Sequence, residues 1–146
     1  MDISDKIIIY TDGACQGNPG PGGWGVVIIE NKNKIELSGN KNNTTNNIME
    51  MTAAIKALEY FKIKKNILLY TDSNYLKMGI TKWIYNWKNN NWINSKKEPV
   101  KNKNYWLILD RLNNLHDIKW NWIKGHSIDK LNNEVDLIAR EAANSK

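Results

Sequence analysis

Residues 7–14 read Ile-Ile-Ile-Tyr-Thr-Asp-Gly-Ala, a short apolar run that ends in a single carboxylate, Asp12. A similar sequence occurs later, where residues 67–73 read Ile-Leu-Leu-Tyr-Thr-Asp-Ser, with the carboxylate at Asp72. Continuous apolar runs of this length are typical of strands that are buried on both faces of a sheet. We therefore predict two buried strands, each with a Tyr-Thr-Asp sequence at its carboxyl end.

The segments around these two runs predict an α/β fold. Residues 24–30 and 34–39 predict two further strands, which form an antiparallel meander with the first. Apolar residues at helical spacing predict a helix from residue 48 to about 62. Because strand–helix–strand connections are right-handed crossovers, the first and fourth strands are expected to be parallel neighbours. Alternation over 118–122 predicts a fifth strand, and the expected fold is a mixed five-stranded sheet with strands 1, 4 and 5 parallel and helices on both faces.

The remaining patterns predict further helices at 73–78, 80–87, 106–115 and 131–142. Loops are expected at 15–23, 40–47, 88–104 and 125–132. The length of 146 residues suits one domain with a single core, and no internal linker divides it, so residues 1–146 are expected to form a single domain.

The composition favours an ordinary protein of a reducing compartment. No stretch approaches the roughly 20 consecutive apolar residues that cross a bilayer, and the acidic start of the chain is unlike a signal peptide. The single cysteine, Cys15, excludes an intrachain disulfide. No obvious oligomerising stripe is present. We expect a cytoplasmic monomer without a membrane partner.

Four carboxylates stand out, and each has an ordinary structural alternative. Asp12 precedes a glycine and could be a turn residue, whereas Asp72 precedes a helix and could be its N-cap. Glu50 and Asp136 each lie three residues after an asparagine, so that each could close a capping box.

Taken together, the same four residues predict a metal site. Asp12 and Asp72 end adjacent parallel strands, where α/β proteins place their sites. Glu50 is expected in the first turn of the crossover helix, and Asp136 near the start of a helix that could pack over the same edge. Converging carboxylates need a compensating cation. Oxygen ligands favour Mg²⁺, and two such ions about 3.5–4 Å apart are a known solution for phosphodiester chemistry.

The positive charge lies in one segment. Residues 77–103, here called the basic segment, carry seven lysines and one acid, Glu98, and so account for the whole net charge of +6. A localised basic patch on a neutral body favours a polyanionic partner; the alternative is a solvated lysine-rich loop. The glycine-rich stretch 17–23 contains two prolines and leads into a strand, which excludes a dinucleotide-binding loop. Its backbone amides could still lie along a sugar–phosphate chain.

The motifs that carry this pattern resemble those of bacterial ribonuclease HI, of the type 1 ribonuclease H family. The resemblance runs in order through nearly the whole chain. It rests on residues 10–15 with 17–23, on 44–50 (Thr-Thr-Asn-Asn-Ile-Met-Glu), on 71–73 (Thr-Asp-Ser), and on 122–127 (Trp-Ile-Lys-Gly-His-Ser) followed by Asn132 and 136–139 (Asp-Leu-Ile-Ala).

The resemblance implies an endonuclease that hydrolyses the RNA strand of an RNA–DNA hybrid and leaves a 5′-phosphate and a 3′-hydroxyl. It implies two Mg²⁺ ions with substrate, with Mn²⁺ as a substitute, held by Asp12, Glu50, Asp72 and Asp136. Asp12 would bridge the two ions. His126 would lie on a loop and assist proton movement or product release. Its ordinary alternative is a surface histidine.

Substrate-binding positions also follow from the resemblance. Backbone groups near Gly13 and Cys15 and the side chain of Glu50 are candidates for contacts to the 2′-hydroxyl, which separates RNA from DNA. The basic segment resembles the basic handle of the family, in which an aromatic side chain packs on deoxyribose and lysines contact phosphates. For Trp83 and Trp87 of this segment, packing in the core is the alternative. The implied contacts with nucleotides, deoxyribose or phosphate are Asn18, Thr45, Asn46, Asn74, Trp83, Asn86, Trp87, Lys88, Lys96, Lys97 and Lys101.

Three positions depart from the family pattern. Asn43 stands where the family often has an arginine that grips a DNA phosphate, Asn133 stands where it has a glutamate, and Asn74 stands where it often has a longer glutamine. Two other functions compete with the ribonuclease hypothesis: another nuclease of the same fold, such as a DNA resolvase or an integrase-like domain, and a hybrid-binding module without catalysis. The four intact carboxylates argue against both.

Overall fold

The computed structural model describes residues 6–124 and 129–145. Its strands are β1 (Lys6–Cys15), β2 (Gly20–Glu30), β3 (Asn33–Thr44), β4 (Asn66–Thr71) and β5 (Asp117–Trp122). Its helices are α1 (Asn46–Glu59), α2 (Asn74–Met78), α3 (Ile84–Asn89), α4 (Lys103–Leu115) and α5 (Lys130–Asn144), and a π-helical turn, Gly79–Trp83, joins α2 to α3.

The predicted sheet is confirmed. The strand order is β3-β2-β1-β4-β5. β1 pairs with β2 and β2 with β3 in antiparallel fashion, whereas β1–β4 and β4–β5 are parallel. Tyr10 lies opposite Tyr70 and Thr11 opposite Thr71, so the two Tyr-Thr-Asp sequences are in register on neighbouring strands.

Helices cover both faces of this sheet. Successive side chains of a strand point to opposite faces, so each strand contributes to two clusters. Ile7 and Ile9 of β1 belong to the larger core, which also contains Trp106 and Leu109 of α4 and the buried residues of α1. Tyr10 belongs to a smaller cluster on the other face, with Val27 of β2 and Val135 of α5.

The meander is longer than predicted, and the predicted loops at 15–23 and 40–47 are partly wrong. β2 begins at Gly20 and β3 continues to Thr44, because these polar and glycine-rich ends pair with each other, Gly20 with Thr44 and Gly22 with Lys41. Sequence patterns miss such strands since glycine and asparagine have low strand propensity. At Gly23 an added Cβ would lie 2.3 Å from the Ala143 nitrogen, so helix α5 packs directly on the backbone of β2.

The region from 72 to 115 also differs in detail. The helices predicted at 73–78 and 80–87 form one nearly continuous run through the π-helical turn, and α4 begins at Lys103, three residues before the prediction. Within the described residues, no helix has the combination of length and apolar character that crossing a membrane requires.

Candidate active site

Three carboxylates meet at the carboxyl ends of β1 and β4. Asp12 lies in β1, Asp72 directly follows β4, and Glu50 lies in α1, which packs on β1. Each offers one oxygen atom, and these three atoms all lie within 4.8 Å of one another. The Asp12 and Glu50 side chains are buried, whereas Asp72 is half-buried. The predicted convergence of these three residues is therefore confirmed.

The ordinary alternatives for the four carboxylates are wrong, because other residues occupy the caps. Thr45 caps α1 and accepts a hydrogen bond from the Ile48 nitrogen. Ser73 caps α2 and Asp129 caps α5. The two predicted capping boxes are thus absent, and both Glu50 and Asp136 lie in the second turn of their helices. Asp12 pairs with Gly25 inside β1 and is not a turn residue.

The crowding of the acids changes their protonation. Burial raises the pKa of the Asp12 carboxyl from 3.8 to about 9, and the charge of Asp72 and the contact with Asp136 add to the rise. Burial also raises the pKa of Glu50 well above its usual value, followed by the charges of Asp12 and Asp72. The Glu50 Oε1 atom is buried, and no donor in the described part of the chain reaches it.

Asp136 lies beside the other three but is held separately. It lines the same cavity of about 380 Å³ as Asp12, Glu50 and Asp72. Its Oδ2 atom accepts a hydrogen bond of 3.1 Å from the Arg140 Nε atom one turn further along α5. The group of three mutually close oxygen atoms does not include it.

Several predicted substrate-binding residues surround this cavity. Gly13, Asn46 and Asn74 line it, and Cys15 lines an adjoining groove of about 720 Å³ together with Gly13 and Asn46. The Asn18 Oδ1 atom accepts a hydrogen bond of 3.1 Å from the Asn46 backbone, so Asn18 orients the start of α1. The side chain of Thr45 is engaged as the cap of α1.

The basic segment forms a second groove, of about 650 Å³, which is lined in part by Trp83, Asn86, Trp87 and Lys97. Both tryptophans are half-buried, with their ring centroids 6.1 Å apart. Trp87 also packs on Trp106 of the main core, at 5.4 Å between centroids. Core packing and groove lining therefore coexist in Trp87.

The lysines of this segment are not equivalent. Lys96, Lys97 and Lys101 are exposed. Lys88 forms an ion pair of 2.8 Å with Asp110 of α4, so that its charge is partly compensated within the chain. His126 lies outside the described residues.

Three contacts near the carboxylates were not anticipated from the sequence. Arg140 binds Asp136, and the indole nitrogen of Trp122 donates to the Asp72 carbonyl oxygen at 3.1 Å. The hydroxyl of Tyr10 donates to Asp129. The Asp-to-Arg spacing of four residues on a helix is the only one of these with a sequence signal, since the other two contacts depend on tertiary packing.

Comparison with known proteins identifies the class. A sequence profile of the RNase H family matches residues 4–144. The ribonuclease H of Ehrlichia canis is 50% identical over 139 residues, which cover 95% of both chains. The chain therefore belongs to the ribonuclease H family. It is a nuclease, and thus a hydrolase.

Solved structures agree with this assignment. The crystal structure of a type 1 RNase H with the type 2 active-site motif superposes with a TM-score of 0.87 at 26% identity, over 99% of this chain and 75% of that one. A foamy viral protease–reverse transcriptase in complex with RNA/DNA hybrid has a TM-score of 0.82 at 21% identity, over 98% of this chain and 21% of the viral one, and so shares the fold.

Proposed function

We propose that this protein cleaves the RNA strand of RNA–DNA hybrids with two Mg²⁺ ions and leaves a 5′-phosphate and a 3′-hydroxyl. The observation that carries the proposal is the set of three carboxylate oxygens, from Asp12, Glu50 and Asp72, within 4.8 Å of one another at the edge of a ribonuclease H sheet. The ionised form of a buried acid with a raised pKa is unfavourable unless a cation offsets its charge.

The residues fit a hard divalent ion. All the donors are carboxylate oxygens, which Mg²⁺ and Mn²⁺ prefer to softer ligands. The buried and unpartnered Oε1 atom of Glu50 is an acceptor that a cation would satisfy. We assign Asp12, Glu50, Asp72 and Asp136 as the residues that would hold the ions, because the first three offer mutually close oxygen atoms and Asp136 lines the same cavity.

The residues around the ions have separate roles in the proposed reaction. The bound ions would supply an activated water and a stabilised leaving oxygen. Hydrolysis joins the water oxygen to phosphorus and breaks the bond to the 3′ oxygen of the preceding nucleotide. Asn46 and Asn74 at the cavity wall hold the sugars and bases, with Asn18 orienting the start of α1. The backbone at Gly13 and Cys15, with Glu50, contacts the 2′-hydroxyl that distinguishes RNA. His126 assists proton movement or product release.

The basic segment binds the DNA strand in this proposal. Lys96, Lys97 and Lys101 contact phosphates, with a smaller share for Lys88 because of its pairing with Asp110. Trp83 and Trp87 offer aromatic surface to deoxyribose in the same groove, beside Asn86. Thr45 at the start of α1 contributes a further DNA contact. The foamy viral protease–reverse transcriptase, which contains this fold, was solved in complex with RNA/DNA hybrid, and this supports the choice of substrate.

We further propose that the enzyme is a single domain, acts as a monomer and works in the cytoplasm. The lone cysteine, Cys15, is free and lies beside the proposed site, which favours a reducing compartment.

The test uses three labelled substrates, an RNA–DNA hybrid, duplex DNA and duplex RNA, each with Mg²⁺, Mn²⁺ or EDTA. We expect cleavage of the RNA strand of the hybrid alone, in either metal, with products that carry a 5′-phosphate and an extendable 3′-hydroxyl. Asp12→Asn should abolish cleavage but retain hybrid binding. The matched control is Asp117→Asn, which changes an exposed carboxylate at the other end of the sheet and should leave the rate unchanged.

Three results would count against the proposal. Cleavage of duplex DNA would indicate a resolvase-like enzyme. Binding of the hybrid without cleavage by the unaltered protein would indicate a binding module. Cleavage that persists in EDTA would remove the role of the metal.

A further inference from the structure

A buried tyrosine on β1 is tied to the beginning of the last helix. The Tyr10 hydroxyl donates a hydrogen bond of 2.9 Å to the Oδ2 atom of Asp129, a residue 119 positions away in the chain. Tyr10 is only 7% exposed. A buried hydroxyl bonded to a carboxylate is a charge-assisted contact with a defined direction, and it costs more to lose than a surface hydrogen bond.

The second oxygen of Asp129 caps helix α5. Its Oδ1 atom accepts hydrogen bonds from the backbone nitrogens of Leu131, at 3.0 Å, and Asn132, at 3.1 Å. One carboxylate therefore joins the end of α5 to the middle of β1. The position of the helix end is fixed relative to the strand and not only relative to its own first turn.

The same two elements carry two of the proposed metal ligands. Tyr10 and Asp12 are alternate residues of β1 and share a face of the sheet. Asp129 is the N-cap of α5 and Asp136 lies in the second turn of the same helix. The hydrogen bond from Tyr10 to Asp129 thus joins the strand and the helix whose Asp12 and Asp136 line one cavity.

The ring of Tyr10 is itself held in place. It stacks on Tyr70, with a centroid distance of 4.8 Å and an interplanar angle of 16°. Tyr70 precedes Asp72 by two residues, just as Tyr10 precedes Asp12. The repeated Tyr-Thr-Asp sequence therefore contributes a stacked aromatic pair as well as a pair of carboxylates, and only one of the two tyrosines bonds to Asp129.

We propose that Tyr10 and Asp129 form a positioning pair, which sets the place of Asp136 relative to Asp12 and so tunes the affinity of the site for divalent cations. This inference rests on the proposed function, in which Asp136 is a metal ligand. Groups that orient a metal ligand through a second contact commonly change metal affinity by about 10-fold or more when they are removed. Neither residue touches the substrate or the reacting atoms in this role.

The test compares Tyr10→Phe, which removes one hydroxyl and keeps the ring, with Tyr70→Phe, which removes the hydroxyl of its stacked neighbour. Mn²⁺ binding to the protein without substrate is measured by calorimetry, together with the metal dependence of kcat and the KM for hybrid. For Tyr10→Phe we expect binding about 10-fold weaker and a matching rise in the metal concentration for half-maximal rate, with KM within about twofold. Tyr70→Phe should bind Mn²⁺ as the unaltered protein does.

A second variant keeps the test independent of folding. Asp129→Ser retains an N-cap for α5 but does not reach Tyr10. It should weaken Mn²⁺ binding as Tyr10→Phe does, and the double variant should be no weaker than the worse single one, because both remove the same contact. If both single variants lower the melting temperature but bind Mn²⁺ normally, the pair is only structural and the inference is overturned.

Asp136→Asn separates this inference from the proposed function. If Asp136→Asn is inactive while Tyr10→Phe and Asp129→Ser bind Mn²⁺ normally, only the positioning role fails. If Asp136→Asn retains full activity and Mn²⁺ binding, the assignment of Asp136 as a ligand fails, and the positioning role falls with it.

Discussion

A Cβ atom added to Gly13 would lie 2.5 Å from the backbone nitrogen of Glu50, so strand β1 and helix α1 meet at this point with no side chain between them. The same added atom would lie 2.6 Å from the carbonyl carbon of Met49. Both neighbours are backbone atoms and cannot rotate away. This close approach is what lets Asp12, on the strand, and Glu50, on the helix, reach a common point.

Gly13→Ala is therefore expected to separate the two carboxylates. We predict a fall in kcat of about 100-fold or more, since misplacement of about 1 Å in a catalytic site has effects of that size, together with weaker Mn²⁺ binding by calorimetry. Gly79→Ala is the control, because its added Cβ would meet the Trp106 ring at 2.0 Å, away from the carboxylates. The control should lose stability and keep Mn²⁺ affinity; equal Mn²⁺ affinity in the two variants would contradict this account.

Asp72 and Ser73 offer a clean separation of catalysis from helix capping. The Ser73 hydroxyl accepts a hydrogen bond of 3.0 Å from the Leu76 nitrogen and so caps α2. Ser73→Ala should cost about 1 kcal/mol of unfolding free energy and retain most of the activity. Asp72→Asn should do the reverse, with activity lost and stability retained. Urea denaturation and hybrid cleavage on both variants measure this, and a stability loss confined to Asp72→Asn would restore the capping role.

The raised pKa of Asp12 predicts an unusual pH dependence without metal. Its folded pKa of about 9 lies above the unfolded value of about 4, so folding favours the protonated acid. The resulting stability is complete below the unfolded pKa and is lost as the pH rises towards the folded one. In EDTA, Asp12→Asn should remove this loss between about pH 4 and about pH 9, and it should be more stable than the unaltered protein at pH 8.

Thermal denaturation in EDTA at a series of pH values measures this difference. Asp117→Asn, which changes an exposed carboxylate away from the site, is the control. Excess Mg²⁺ should abolish the advantage of Asp12→Asn, since the ion compensates the charge. An Asp12→Asn variant that is less stable at pH 8 in EDTA would show that the buried carboxylate is stabilising.

The exposed lysines of the basic segment predict salt-dependent binding. Replacing Lys96, Lys97 and Lys101 with glutamine should reduce the slope of log Kd against log salt by about 2 to 3, because each phosphate contact contributes about 0.9. Binding is measured in the Asp12→Asn background, which is expected to be inactive. The same charge change at Lys32, Lys62 and Lys64, which are exposed around the opposite end of the sheet, is the control. Equal slopes in both triple variants would show that the basic segment is only a solvated lysine-rich loop.

The sequence predicted the sheet well because its strands depend on local apolar runs. The parallel pairing of β1 with β4 follows from one crossover, and the carboxyl ends then bring Asp12 and Asp72 together. The ends of β2 and β3 were missed, since Gly20 and Thr44 are strand residues only through each other. Capping was misassigned for a related reason, because several residues near each helix start are chemically able to cap and only the backbone path selects Thr45 or Asp129.

The site was predicted as a set of residue types and not as a geometry. The strand ends and the crossover helix indicated that Asp12, Glu50 and Asp72 converge. Asp136 lines the same cavity, but its bond to Arg140 was not predicted. The bond from Tyr10 to Asp129 spans 119 residues and has no local signal. Contacts of this kind depend on how α5 lies over β1, which no periodicity reports.

The placement of α5 has a consequence for the newly made enzyme. Asp12, Glu50 and Asp72 all lie in the first half of the chain, whereas Asp136 arrives with the last helix, which also covers Tyr10 and Val27 on the second face of the sheet. A growing polypeptide therefore holds three of the four proposed metal ligands long before the fourth is made. We expect ribosome-stalled chains of increasing length to cleave hybrid only when this helix has left the exit tunnel. The incomplete chain would then stay inactive until α5 has folded onto the sheet.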